Sequence, residues 1–133
     1  MSEDWRQTAQ ACVDGSDRGT MRFPEVVSRL AAAGVERYVA DLVRGDKTFY
    51  RPDGASAVVA SEPLARVPAA RFDAAGVDTA IRAVQAGTVT YGQFCAAIGD
   101  AGCVGYLVSL AGRRAVYFGR TGETHVEPFP GAA

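Results

Sequence analysis

Apolar residues are arranged along the chain in two kinds of segment that take turns. A recurrence every three to four residues is typical of an amphipathic helix, and β-rich runs bounded by turn residues are typical of strands. Two of the helical patterns end at a glycine, Gly34 and Gly102, where a left-handed helix cap is expected. Thr90 and Gln93 have the spacing of a capping box. The patterns predict helices near the N-terminus, after Pro24, within 69–86 and after Thr90, and strands over 35–43, 47–51, 56–61, 103–111, 114–119 and 123–127.

The second half of the chain repeats the pattern of the first. Residues 19–54 align with residues 87–122 without a gap, and glycine, aromatic and apolar positions agree across both a helical and a strand segment. Tyr38 and Tyr106 are one of the identical pairs. The alignment predicts internal duplication of an α-α-β-β-β unit.

This order of elements predicts an α+β fold, with one antiparallel sheet and helices packed on one face. The 133 residues match the length of one typical domain. We therefore expect a single domain over 1–133, with repeat units over about 2–61 and 69–128 and a tail over 129–133.

The second predicted hairpin is apolar on both faces. Tyr106 and Val108 share one face, whereas Leu107 and Val116 share the other. Helices on one side can cover only one face, and a face open to water is usually polar. The uncovered face therefore predicts either an apolar pocket or the interface of a homodimer.

Charge and composition exclude several classes of partner. The formal net charge is −1 and the pI is about 5.8, so a nucleic-acid-binding protein is not expected. No apolar run approaches the roughly 20 residues needed to span a bilayer, and the acidic N-terminus does not resemble a signal peptide. Three cysteines without a Cys-x-x-Cys pair are typical of buried free thiols, and we expect a cytoplasmic protein.

Residues Asp14–Glu25 resemble the calcium-binding loop of an EF-hand. Asp14, Gly19 and Glu25 occupy the first, sixth and twelfth positions, but Arg18 stands where the fifth position supplies a ligand oxygen. A cation at that position removes both charge and coordination. We expect a helix–turn–helix corner here and no metal.

The single histidine is the first candidate for catalysis. On a strand, Glu123, His125 and Glu127 share one face. A carboxylate beside His125 could orient it as a general base, and the three side chains could also ligate a metal. The alternative is a solvated edge strand, where charged residues are common.

Three tyrosines form a second group of candidates. Tyr38 and Tyr106 are equivalent in the two repeats, and Tyr117 is expected opposite Tyr106 across a hairpin. Phenol groups can bind or protonate a ligand, but aromatic pairs between strands also stabilise ordinary cores. Two further candidates belong with the tyrosines. Cys103 is a possible nucleophile, and the guanidinium of Arg120 could bind an anion.

Several segments resemble the YbcV-like family of bacterial proteins, whose members are sometimes labelled phage envelope proteins. The segments that carry the likeness are Tyr91-Gly-Gln-Phe-Cys95, Gly112-Arg-Arg-Ala-Val-Tyr-Phe-Gly-Arg-Thr-Gly-Glu123 and Glu127-Pro-Phe-Pro130. The resemblance implies a single bacterial domain, and it implies no activity or catalytic residues. The envelope label does not fit a chain without an apolar run long enough to span a bilayer.

Two hypotheses of function follow. The first is a small-molecule-binding or accessory protein, dimeric, with an apolar pocket or the dimer interface on the sheet. The second is a small enzyme without a cofactor, an isomerase, cyclase or lyase. It would use His125, a neighbouring carboxylate and a tyrosine such as Tyr106.

Overall fold

The computed structural model describes residues 4–130, and within them the chain forms four helices and six strands. The helices are α1 (Trp5–Arg18), α2 (Phe23–Ala32), α3 (Ala74–Gln85) and α4 (Tyr91–Asp100). The strands are β1 (Arg37–Asp41), β2 (Asp46–Tyr50), β3 (Ser56–Ala60), β4 (Cys103–Ser109), β5 (Arg114–Gly119) and β6 (Thr124–Pro128). The strands form one antiparallel sheet in the order β3-β2-β1-β4-β5-β6. The predicted α+β fold with an antiparallel sheet is confirmed.

Three of the four helices, α1, α3 and α4, start at a side chain that accepts a hydrogen bond from a free backbone N–H group. Asp4 caps α1, and Asp73 caps α3 by accepting from the N–H of Gly76 at 3.1 Å. The predicted capping box of α4 is present: Thr90 Oγ1 accepts from the N–H of Gln93, whose side chain accepts from the N–H of Thr90.

The predicted glycine caps end α2 and α4. Gly34 and Gly102 have φ angles of 82° and 90°, in the left-handed region that favours glycine. A Cβ atom at Gly102 would lie 2.2 Å from the carbonyl oxygen of Arg71. Only glycine therefore allows the segment before α3 to pass so close to the end of α4.

One face of the sheet forms the core together with the helices. Every second residue of the central strands is buried there, including Tyr38, Tyr106 and Val108. Leu30 of α2 and Ile98 of α4 are fully buried in the same cluster. The alternation of buried and half-buried residues along β1 and β2, and less regularly along β4 and β5, shows that the helices cover this face.

The element order α-α-β-β-β occurs twice, and β1 pairs with β4 at the centre of the sheet. This arrangement agrees with the internal duplication, which remains a prediction. Phe129, expected at the start of a tail, is buried and packs edge-on against Phe23 with ring centroids 5.4 Å apart. Residues 131–133 of the expected tail lie outside the described residues.

The segment that resembles an EF-hand loop is largely helical. α1 continues to Arg18, so Asp14 lies inside the helix, and Gly19 with a φ of 73° makes the corner before α2. The loop geometry that calcium requires is therefore not formed there. Among residues 4–130, no helix has the length and the apolar composition that crossing a membrane requires.

Candidate functional site

His125 lies on the helix-covered side of β6, at the edge of the sheet. It pairs with Tyr117 across β5 and β6, and its side chain is 22% exposed. Its Nε2 atom is buried and makes no hydrogen bond within the described part of the chain. The nearest carboxylate oxygens belong to Asp78 at 3.6 Å and Glu127 at 3.8 Å, both beyond normal hydrogen-bond distance.

Arg82 of α3 holds both of these carboxylates. Its two terminal nitrogens donate to the two oxygens of Glu127 at 2.9 Å each, and one of them also donates to Asp78 at 2.9 Å. This bidentate pair joins α3 to β6. Arg82 therefore already provides the positive charge that neutralises Asp78 and Glu127 beside His125.

The predicted trio is only partly assembled. Glu127 approaches His125 as expected, but Glu123 precedes β6 and accepts a hydrogen bond from Thr121 in the preceding turn. Asp78 takes the third place, and the ligand atoms of Asp78, His125 and Glu127 all lie within 4.8 Å of one another. A divalent cation could use these three only if Arg82 left, so the geometry favours a structural ion-pair cluster.

The predicted tyrosine group is part of the core. Tyr106 packs against Tyr117 with ring centroids 5.3 Å apart and against Tyr38 at 6.3 Å. The Tyr106 hydroxyl shares a 2.7 Å hydrogen bond with the hydroxyl of Tyr91. Burial raises the pKa of Tyr38, Tyr106 and Tyr117, so none of them is a ready proton donor at neutral pH. No contact between His125 and Tyr38 or Tyr106 occurs in the part of the chain described.

The surroundings of Cys103 and Arg120 fit structural roles. Cys103 is fully buried, and its burial raises the pKa of the thiol to about 11, which disfavours the nucleophilic thiolate. Arg120 donates to the carbonyl oxygen of Pro68 at 2.5 Å and so holds the segment between β3 and α3.

A buried lysine completes this part of the core. Lys47 of β2 points toward the helices, and its amine lies 4.3 Å from the ring centroid of Tyr91. Burial lowers the pKa of this amine. The sequence analysis missed Lys47, although it lies two residues before Phe49 on the same side of the strand and therefore on the core side.

A cleft of about 640 Å³ lies between α1 and the end of α2. This volume is in the range of small-molecule sites. One side is formed by the indole of Trp5 and the guanidinium of Arg51, which lies 5.9 Å from the ring centroid. The remaining lining is mostly small and includes one more cation: Thr8, Ala11, Arg29, Ala32, Ala33 and Gly34.

Arg51 is the unusual member of this cleft. Its Nε atom is buried without a hydrogen-bond partner, and Arg51 forms no ion pair within residues 4–130. A Cβ atom at Gly34 would lie 3.3 Å from Arg51 Nη2, so the glycine leaves room for the guanidinium. Arg29, in contrast, is paired with Glu25 at 2.8 Å on the exposed side of α2.

The sequence alone gives little sign of this cleft. Trp5 is the first apolar residue of α1 and Arg51 follows β2, so the two meet only through the packing of helix on sheet. The one usable signal is that Trp5 is the only tryptophan of the chain.

Two mycobacterial proteins are similar to this chain. It is 34% identical over 110 residues, or 80% of its length, to the uncharacterized protein Rv2012 of Mycobacterium tuberculosis (strain ATCC 25618 / H37Rv). The uncharacterized protein Mb2035 of Mycobacterium bovis (strain ATCC BAA-935 / AF2122/97) matches to the same extent. The matched part spans 66% of the length of these relatives, whose names state no activity. No protein-family model matches the chain.

Proposed function

We propose that this protein binds a small organic anion in the cleft between α1 and α2. The observation that carries the proposal is Arg51, a cation that lines the cleft and forms no ion pair within residues 4–130. The Nε atom is closed to the cleft, but Arg51 as a whole is half-buried and lines the wall, so a carboxylate or phosphate in the cleft would supply the opposite charge for its guanidinium.

The other walls define the rest of the ligand. Trp5 is 6% exposed, and its exposed part forms one wall, while the alanines and Gly34 leave room beside it. The C-terminal end of α2 carries a partial negative charge, which the full positive charge of Arg51 outweighs. A planar apolar group that carries one carboxylate or phosphate fits this combination best.

Trp5 provides a direct assay, because it is the only tryptophan and lines the cleft. We expect benzoate to change the tryptophan fluorescence with a saturable curve, since a bound ring alters the surroundings of the indole. Benzamide has the same shape without the charge. Its dissociation constant should be at least about tenfold higher than that of benzoate, because a charge-assisted bond to Arg51 is lost.

Two variants separate this site from general charge effects. Arg51→Gln should abolish the response to benzoate, whereas Arg44→Gln should leave it unchanged, because Arg44 lies in the β1–β2 turn and pairs with Asp46. Equal binding of benzoate and benzamide, or an unchanged affinity in Arg51→Gln, would contradict an anion site at Arg51.

A second candidate function is the enzyme based on His125. What supports it is the unpartnered Nε2 beside Glu127. The binding function is better supported, because Arg82 occupies the carboxylates and Tyr106 is bonded to Tyr91 in the core.

The proposal also includes a cytoplasmic location and excludes nucleic acid as the ligand. All three cysteines are free thiols, which suits the reducing cytoplasm. The net charge of −1 favours a small anion held by local cations over nucleic acid as the ligand. Membership of the YbcV-like family remains part of the proposal and adds no activity to it.

A further inference from the structure

The uncovered face of the sheet carries a continuous row of side chains, five of them aliphatic, across all six strands. In order across the sheet, the paired positions are Val58, Thr48, Val39, Leu107, Val116 and Val126. The two ends of this central row are open to water, with Val58 62% exposed and Val126 47% exposed. A water-facing sheet normally carries polar residues at such positions.

The rows on either side of the central row differ in charge. One row contains the carboxylates of Asp41 and Asp46 together with Phe118, and the other contains Arg37 and Arg114. Asp46 is paired with Arg44, but the carboxylate of Asp41 accepts, within the described residues, only from the backbone N–H groups of the following turn. Arg37 is paired with Glu36 and lies 4.2 Å from the ring centroid of Tyr50, whereas the side chain of Arg114 donates, among residues 4–130, only to the carbonyl oxygen of Gly112.

We propose that the uncovered face binds the same face of a second copy of this chain. A twofold axis along the central row places that row on its own copy and exchanges the two flanking rows. Asp41 then faces the partner's Arg37, and Phe118 faces the partner's Arg114. The first is an ion pair and the second a cation–π contact, and each occurs twice in the dimer.

The other face-to-face arrangement is less favourable. A twofold axis along the strands would place Asp41 over the partner's Gly105 and Arg37 over the partner's Ser109, so the carboxylate of Asp41 would lose water without gaining an opposite charge. The charge pattern therefore selects the axis along the central row.

The size of the face predicts a dimer of moderate affinity. Six strands of five residues cover about 29 Å by 17 Å, or about 500 Å² for each copy. Two copies bury about 1,000 Å², near the lower limit of specific interfaces. We expect a dissociation constant in the micromolar range.

The mass of the full chain in solution tests the proposal. Analytical ultracentrifugation from 1 to about 200 μM should show a monomer–dimer equilibrium in that range. Val58→Lys with Val126→Lys should weaken the dimer at least about tenfold, because four ammonium groups would be buried in an apolar row. Val67→Lys is the matched control: Val67 is 80% exposed but lies between β3 and α3, away from the sheet.

The charged rows give an independent test of the axis. Arg37→Asp alone should weaken the dimer about tenfold or more by placing two carboxylates together, and adding Asp41→Arg should restore most of the affinity. The melting temperature of each variant shows whether the monomer remains folded. A chain that stays monomeric at 200 μM, or a dimer unaffected by the two lysines, would overturn the interface. A dimer that is weakened but not restored by the exchange would overturn the axis.

Discussion

Gly102 and Gly122 have nearly the same left-handed φ, 90° and 87°, in very different surroundings. A Cβ atom at Gly122 would have nothing within 4 Å, whereas one at Gly102 would meet the carbonyl of Arg71. The two positions therefore separate the cost of the backbone angle from the cost of crowding.

We expect Gly122→Ala to lower the free energy of unfolding by about 1–2 kcal/mol, the cost of a left-handed alanine. Gly102→Ala should lower it by about 2–5 kcal/mol, because the clash with Arg71 adds to the same cost. Urea unfolding of the two variants measures both values. Equal losses would show that the segment before α3 moves freely away from α4.

The helices depend on local hydrogen bonds that single residues supply. The capping box at the start of α4 satisfies two backbone N–H groups through Thr90 and Gln93. α2, in contrast, has Arg22 at its N-cap position without a side-chain hydrogen bond, and Pro24 removes one of the free donors.

Thr90→Ala should lower the free energy of unfolding by about 1 kcal/mol, because the N–H of Gln93 loses its acceptor. Thr121→Ala is a suitable control, since Thr121 lies in an exposed turn and bonds only to the exposed side chain of Glu123. Its effect should stay within about 0.5 kcal/mol. Thermal or urea unfolding distinguishes the two, and equal effects would argue against a stabilising cap.

Elements were predictable where the signal is local. The glycine caps at Gly34 and Gly102 and the capping box at Thr90 follow from residues adjacent in sequence, and the structure confirms them. The contact of Arg82 with Glu127 was not predictable, because it joins α3 to β6 across 45 positions and depends on how the helix packs. The same reason hid the cleft between Trp5 and Arg51.

At the scale of the whole molecule, four tyrosine side chains lie together in the core. Tyr38, Tyr91, Tyr106 and Tyr117 lie in one aromatic group that both halves of the sheet share, and burial raises the pKa of each. Unfolded tyrosines ionise near pH 10. The folded chain therefore keeps protons that the unfolded chain loses, and the free energy of unfolding falls as the pH rises above about 10.

We expect four of the five tyrosines to stay protonated until alkaline unfolding and then to ionise together. Absorbance at 295 nm reports tyrosinate, and near-ultraviolet circular dichroism reports the packing of the aromatic rings. The two signals should change at the same pH, and the chain in concentrated urea should ionise near pH 10 as a control. Gradual ionisation before the loss of circular dichroism would mean that the phenols are accessible in the folded state.

The order of the sheet was only partly predictable. Hairpins join strands adjacent in sequence, but the β1–β4 pairing joins the two halves, and no local pattern specifies it. The order of elements predicted one antiparallel sheet, which the structure confirms, but it did not predict which strands lie at the centre of that sheet.

The position of β3 at one edge of the sheet has a consequence for aggregation. This strand is Ser-Ala-Val-Val-Ala, with neither charge nor proline, whereas β6 at the other edge carries His125, Glu127 and Pro128. Uncharged edges are the ones that add foreign strands. A dimer through the uncovered face would shield Val58 but leave the backbone edge of β3 free. Crowded or partly unfolded molecules should therefore begin to associate into fibrils at residues 56–60, and a single lysine there is the natural place for a solubilising change.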